Sequence, residues 1–250
     1  MDSIEILGVR VDDATYDELM DKVDAFVGSG KPHHVITVNV EMLIAAYDDP
    51  EFAAVLWCGD LNVADSVGVM LAARLLGRPL QERVTGSDGI YRLAAHSARK
   101  GYRPFLLGAA PGVAELAAQS LRAANPDLDM AGVYAGSPRG SEEDDIILRI
   151  RAANPDLLLV AYGVPAEEMW IARNRQRLGV PVMMGVGGAF DFAAGVTKRA
   201  PGWIRRVGLE WMYRLVREPW RWRRQLALPR FLLLVMKQKL ESITGRQRVG

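Results

Sequence analysis

Few side chains can move a proton or hold a diphosphate, and in this chain several of them directly follow short apolar runs. Asp65 comes after Leu61-Asn-Val-Ala64 and before Ser66-Val67-Gly68, which opens a helical pattern. A carboxylate fixed at a strand end beside a helix amino terminus stays ionised and suits a general base. The commonest job of Asp in that setting is to cap the helix, so both readings stand. Thr37 and Asn39 flank the end of an earlier run, His33 to Val38. Arg83 lies in the polar loop Glu82-Arg-Val-Thr-Gly-Ser-Asp-Gly89. Its planar fork can grip a diphosphate, or it can pair with Glu82 or a surface acid.

Three glycine-bearing turns extend this set. Gly108-Ala-Ala-Pro-Gly112 places backbone N–H groups where a helix start can receive phosphate. It lacks the spacing of a Walker loop or a dinucleotide fingerprint, and tight-turn geometry alone accounts for its glycines. Tyr162-Gly163-Val-Pro-Ala-Glu167-Glu168 and Gly185-Val-Gly187-Gly-Ala-Phe-Asp191 also follow apolar runs. Crowded glycines let a flat nucleobase or sugar approach the backbone, or let a helix pack close to a strand. Asp127-Leu-Asp129 resembles an Asp-x-Asp metal clamp, but it sits where a strand begins and its duplicate reads Asp156-Leu-Leu158, so it is structural. His33, His34 and His96 lack metal-ligand spacing, and no metal site is expected.

The elements that must position these residues alternate. Apolar runs at Ile4 to Val9, His33 to Val38, Leu61 to Ala64, Pro104 to Leu107, Leu128 to Val133, Leu157 to Tyr162 and Val182 to Val186 predict strands. Gly112 to Ala124, Glu142 to Ala153 and Ala166 to Leu178 carry apolar residues at helical spacing. Alternation of this kind predicts an α/β, Rossmann-like, open and mostly parallel sheet with helices on both faces. Arg122-Ala-Ala-Asn-Pro-Asp-Leu128 recurs as residues 151–157, a spacing of one strand-helix unit, and each copy should end a helix and open a strand.

With 250 residues, half of them apolar, the chain can bury a full core, which excludes disorder and fibrous repeats. The formal charge of +1 hides an asymmetry: residues 198–250 carry 14 basic and 3 acidic side chains. Residues 1–197 carry 17 basic and 27 acidic ones. Trp203, Trp211, Trp220 and Trp222 lie among seven arginines there, with Pro201, Pro219 and Pro229 dividing the segment into at most three short helices. Residues 1–196 therefore read as an α/β domain and 197–250 as a basic, Trp-rich helical appendage. Such a tail can bind single-stranded nucleic acid or an anionic membrane surface, or be simply a basic surface. The acidic body disfavours nucleic acid, so the membrane is the preferred partner. Cys58 is the sole cysteine, the start is no secretory signal, and no run reaches the ~18 to 20 apolar residues of a membrane span, which fits a cytoplasmic protein at the membrane surface.

Taken together these segments resemble the WecG/TagA/CpsF family of bacterial glycosyltransferases. The resemblance is carried by Thr37-Val-Asn39-Val-Glu41, Ala64-Asp65-Ser-Val-Gly68, Glu82-Arg83-Val-Thr-Gly86-Ser-Asp88, Leu106-Leu-Gly108 with Pro111-Gly112, Gly163-Val-Pro165 with Glu168, and Gly185-Val-Gly-Gly-Ala-Phe-Asp191. Its most specific part is the tail, with Arg199-Ala-Pro201, Gly208-Leu-Glu-Trp211, Tyr213-Arg214-Leu215, Glu218-Pro219 and Arg221. The resemblance implies inverting, metal-independent transfer of a sugar, such as an N-acetylated aminohexose or its uronic acid, from a UDP-sugar to a polyprenyl-diphosphate-linked saccharide, without a cofactor. It implies a role in cell-surface polysaccharide or wall-polymer assembly at the inner face of the plasma membrane. Asp65 becomes the candidate base, with Thr37, Asn39 and Arg83 in the catalytic pocket. Gly108, Gly163, Glu167, Gly187 and Asp191 become substrate-binding positions, joined by Arg214, Arg221 and Arg224 of the tail, which would close over the diphosphate. Self-association into a homo-oligomer, through surfaces the tail otherwise covers, is implied too.

The chain departs from the family pattern at two positions. Ser66 stands where Gly is common, and Glu167 where Gln is frequent. A carboxylate donates no hydrogen bond unless protonated, so contacts to the donor sugar should differ there. Two rivals follow from the residues alone: a membrane-recruited protein that binds UDP without catalysis, and a nucleic-acid binder acting through its Arg/Trp tail.

Overall fold

A computed structural model describes residues 1–201, 204, 212, 213, 215 and 227–247. Strands β1 (Ser3–Ile6) and β2 (Val9–Asp12) form an antiparallel hairpin. After α1 (Tyr16–Ser29) come β3 (His33–Val38), α2 (Val40–Asp48), α3 (Pro50–Trp57), β4 (Leu61–Ala64), α4 (Val67–Leu75) and α5 (Gly86–Lys100). The chain continues through β5 (Pro104–Gly108), α6 (Val113–Ala124), β6 (Gly132–Tyr134), α7 (Glu143–Ala153), β7 (Leu157–Ala161), α8 (Ala166–Leu178), β8 (Val182–Gly185) and α9 (Ala189–Ala193). A helix we label α10 spans Ala227–Gln247.

The main sheet has the order β4-β3-β8-β7-β5-β6, and every ladder in it is parallel. Its central strands β7 and β8 are buried throughout and β3 from His34 on, which is why they read as mostly apolar runs rather than alternating ones. Leu19, Val23, Ile90, Leu93, Ala117 and Phe190, from α1, α5, α6 and α9, cover one face. The other face is covered by α2, α3, α4 and α10 over one end and by α7 and α8 over the other. Strand β3 therefore hands its chain to one face through α2, while its neighbour β8 hands its chain to the other through α9. That divergence opens a crevice beyond the carboxyl ends of the two strands, the standard location of ligands in such sheets.

Two strand expectations need correction. The run Ile4 to Val9 is no single strand: Leu7 and Gly8 both take positive φ (51° and 82°) and turn the chain back, pairing Ile6 with Val9. Two central residues with positive φ make the two-residue turn whose twist matches a hairpin. The run Leu128 to Val133 forms a strand only from Gly132. Leu128 and Met130 are buried, but as parts of a turn in which the Leu128 N–H reaches the Asn125 carbonyl at 3.0 Å. The duplicate heptad behaves differently: the Asp156 carboxylate accepts the Arg103 N–H at 2.8 Å and delivers Leu157 straight into β7. An interior strand has neighbours to pin it from its first residue, whereas β6 is the sheet edge.

The C-terminal helix also differs from the expected short pieces, since α10 runs 21 residues with Pro229 tolerated near its start. Phe231 and Val235, each 0% exposed, dock it on α2 and α4. Arg230 grips Asp48 with both guanidinium nitrogens (2.5 and 2.6 Å), and Gln238 clasps the hairpin turn through the Leu7 N–H and the Glu5 carbonyl, each at 3.0 Å. Phe231→Ala should cost about 3–5 kcal/mol in chemical denaturation. Leu233→Ala, on the outer side of the same helix at 72% exposure, should stay within about 0.5 kcal/mol of wild type.

Candidate active site

At the end of β3, Thr37 is buried and its hydroxyl donates to the Gly185 carbonyl of β8 at 3.2 Å, joining the two strands where they begin to part. Asn39 caps α2, its side-chain oxygen accepting the Met42 N–H at 3.0 Å. One strand over, Asp65 leaves β4 with its N–H bonded to the Val38 carbonyl at 2.8 Å. The cap of α4 is Ser66, whose hydroxyl accepts the Val69 N–H. The capping reading of Asp65 is thereby replaced: serine at the position after it takes that role, and Asp65 is half-buried at the strand end.

Arg83 reaches the same edge. The Val84 N–H bonds the Ala64 carbonyl at 2.9 Å, so Arg83 and Asp65 flank one backbone bridge between loop and strand. The Glu82 carboxylate is occupied by the Tyr16 N–H at 2.8 Å, and among the described residues Arg83 has no ion-pair partner. The alternative in which Arg83 merely pairs with Glu82 is therefore set aside. A half-buried guanidinium without a carboxylate is a ready anion site.

Tyr16 holds this loop from both sides. Besides its N–H bond to Glu82, its hydroxyl accepts the Thr85 N–H at 2.9 Å and faces the Thr85 carbonyl at 3.3 Å. Burial, followed by the neighbouring charges of Asp88 and Asp65, pushes the phenol above its ordinary pKa. Thr85 in turn caps α5 through the Asp88 N–H, and the α5 terminus presses against β8: a Cβ on Gly86 would lie 3.3 Å from the Val186 Cα and 3.6 Å from the Thr37 Oγ1.

The loops after β7 and β8 close the other side. Glu167, 1% exposed, accepts the N–H groups of Gly163 (2.9 Å) and Gly187 (3.2 Å) on a single oxygen. Beside it Glu168, 0% exposed, meets the His34 Nε2 at 2.5 Å. Gly185 must lack a side chain, because a Cβ there would lie 2.3 Å from the Glu168 carboxylate. Asp191 is half-buried in the first turn of α9. Gly108 stands apart at the end of β5, with β7 between it and β8, and the close passage of the Ala161 backbone, 2.7 Å from a Cβ, explains its glycine.

Thr37, Asn39, Asp65, Arg83, Gly163, Glu167, Gly187 and Asp191 thus share the carboxyl edge of β4, β3, β8 and β7. Arg214, Arg221 and Arg224 lie outside the described residues. Arg199, named in the sequence only as part of the tail motif, bonds Asp88 at 2.8 Å and lies over the rings of Phe192 and Tyr91 (5.5 and 5.9 Å), connecting α9 and α5 where the tail departs. Sequence reasoning missed the His34–Glu168 pair and Tyr16. For His34 the available signal was a histidine inside an apolar strand; for Tyr16 there was none, since its partners are 66 and 69 residues away.

A model of the glycosyl transferase WecG/TagA/CpsF family matches residues 4–245. Over 217 residues the chain is 34% identical to an N-acetylglucosaminyldiphosphoundecaprenol N-acetyl-β-D-mannosaminyltransferase of Bacillus spizizenii, covering 87% of this chain and 84% of that protein. Proteins of the same description from Bacillus subtilis and Staphylococcus aureus are 35% identical over 210 residues and 29% identical over 238 residues. Those matches cover 84% of this chain and 81% of the B. subtilis protein, and 94% and 93% for S. aureus.

Tyr16→Phe should preserve the fold and cost about 1–3 kcal/mol, because the buried Thr85 N–H loses its acceptor. Hydrogen exchange should speed up at the Thr85 amide while the β4 ladder amides keep their protection. Unchanged exchange at Thr85 would show that Tyr16 does not hold the loop.

Proposed function

Because the chain belongs to the WecG/TagA/CpsF family of glycosyl transferases, we propose that it transfers an N-acetylated aminohexose from a UDP-sugar to a polyprenyl-diphosphate-linked saccharide, inverting the anomeric centre. The relatives' names give the first pair to test, N-acetylmannosamine as the donor sugar and N-acetylglucosaminyl-diphosphoundecaprenol as the acceptor. The observation that carries the reading is the arrangement at the crevice: a strand-end carboxylate, Asp65, whose helix is capped by Ser66, beside an arginine without an acid partner among the described residues.

Asp65 takes the proton of the acceptor hydroxyl as that oxygen attacks the anomeric carbon. The bond to the UDP oxygen breaks on the opposite side, and one in-line displacement inverts the centre. Negative charge grows on the departing diphosphate, where Arg83 and the tail arginines Arg214, Arg221 and Arg224 would stabilise it. Guanidinium groups supply the positive charge in this scheme, so transfer should persist in EDTA. Thr37 and Asn39 line the base, and the glycine loops at Gly163 and Gly187 admit the flat parts of the donor.

The acceptor's lipid places the reaction at a membrane, and α10 supports docking there. No helix among the described residues is long and apolar enough to cross a bilayer. The outer side of α10 nevertheless exposes Leu232, Leu233, Met236, Leu240 and Ile243 alongside Lys237, with Lys239 half-buried, a combination suited to lying on an anionic surface. This reading puts the enzyme at the cytoplasmic face, serving assembly of a wall or surface polymer.

Asp65→Asn should lower kcat about 10²- to 10⁴-fold while UDP affinity is retained, measured as acceptor-dependent UDP release with a soluble lipid-diphosphate-saccharide analogue. Full activity of that variant would remove Asp65 from the chemistry. Absence of turnover with every N-acetylhexosamine donor would remove the proposed donor class.

A further inference from the structure

Two carboxyl groups adjacent in sequence, Glu167 and Glu168, are both buried against the Gly185 backbone at the crevice, with one imidazole nearby. His34 on β3 is spent on Glu168: its Nε2 lies 2.5 Å from the Glu168 Oε2, with both side chains sealed from solvent. The other Glu168 oxygen has no hydrogen-bond partner. Glu167 faces backbone instead, its Oε2 receiving the N–H groups of Gly163 after β7 and Gly187 after β8.

Among the described residues, the groups around Glu167 offer it no counterion. On its own helix it meets the acid Glu168; from β3 comes His34, already paired; from the end of β7 comes only the backbone of Tyr162. Strand β8 supplies only Val, Met and Gly, and α3, which also packs on α8, turns Phe52 and Leu56 inward. Neither a lysine nor an arginine among the described residues pairs with it. An anion here would be a buried charge with no cation of its own, a state that burial strongly disfavours. Backbone N–H groups of Gly163, Gly187 and Tyr162 favour ionisation, but burial and then Glu168 oppose it and hold the acid up to about 8.

We propose that Glu167 is a positioning residue that assembles the donor crevice in its neutral, protonated form. Its carbonyl oxygen ties the loops after β7 and β8 together, and loss of its proton releases them by placing an uncompensated charge between them. The proposal rests on the crevice being the donor site, as read above. It assigns Glu167 a role through the two glycine loops rather than through the reacting atoms.

The test compares the full wild-type chain with Glu167→Gln and Glu167→Ala between pH 6 and 9.5, reading UDP affinity by calorimetry and kcat/KM where turnover is found. The amide of Gln accepts both N–H bonds and never ionises. Wild-type UDP affinity and kcat/KM should therefore fall toward 10-fold per pH unit above about 8, while the Gln variant loses that alkaline limb and the Ala variant binds weakly at every pH. The sign for stability agrees: a folded-state pKa raised from 4.5 to about 8 gives stability that is complete below the unfolded value and lost as pH rises through about 8. The melting temperature of Glu167→Gln should accordingly gain on wild type as pH rises from 5 to 9.

An infrared band of a protonated carboxyl in folded wild type at pH 7, absent from Glu167→Gln, should accompany this and needs no substrate. A missing band, or the same alkaline limb in wild type and Glu167→Gln, overturns the proposal. A protein with the band and with pH-dependent UDP binding that transfers no sugar refutes the transferase reading and leaves the role of Glu167 standing.

Discussion

Backbone N–H groups that emerge from the end of a parallel strand have no ladder partner, and here β3 and β8 send their chains to opposite faces just where several such groups emerge together. Leaving them unpaired in a half-buried crevice would cost about 1–3 kcal/mol apiece. The protein satisfies them with side chains: Glu167 for Gly163 and Gly187, the Tyr16 hydroxyl for Thr85, Asn39 for Met42 and Ser66 for Val69. The shape of the site follows from these bonds. Each fixes a loop, and the loops in turn hold Asp65 and Arg83 at the mouth of the crevice.

This division of labour separates residues that build the site from those that can act in it. Asn39 and Thr37 each have one polar atom committed to structure, the first to a helix cap and the second to the Gly185 carbonyl. Ser66, not the neighbouring Asp65, caps α4. Arg199 closes the frame on the far side by linking Asp88 of α5 to the ring of Phe192 on α9. A substitution at a building residue should act through loop order, and one at an acting residue through the chemical step.

Much of this was legible in the sequence, for a physical reason. Strands buried on both faces must be continuously apolar, so β3, β4, β7 and β8 announced themselves, and polar residues just beyond their ends could be assigned to the crevice edge. What failed was local. A two-residue turn split Ile4 to Val9, since backbone φ at Leu7 leaves no mark on composition, and Leu128 and Met130 are buried as turn residues that look like strand residues. The least legible features were long-range polar pairs: His34 meets Glu168 across 134 residues, and no periodicity encodes that. Glu167 was named as a candidate through the resemblance but its bonds were not legible, because reading a helix does not reveal that one carboxyl oxygen faces two separate loops.

The central claim is that the donor binds where these loops converge. A crystal structure of the full chain with UDP bound tests it most directly. The account predicts UDP at the carboxyl edge, bordered by the Gly163 and Gly187 loops, with its diphosphate within hydrogen-bond reach of Arg83 and its terminal phosphate turned toward Asp65. UDP seated at the opposite edge of the sheet, or on the surface of α10 away from the β3–β8 crevice, would contradict it.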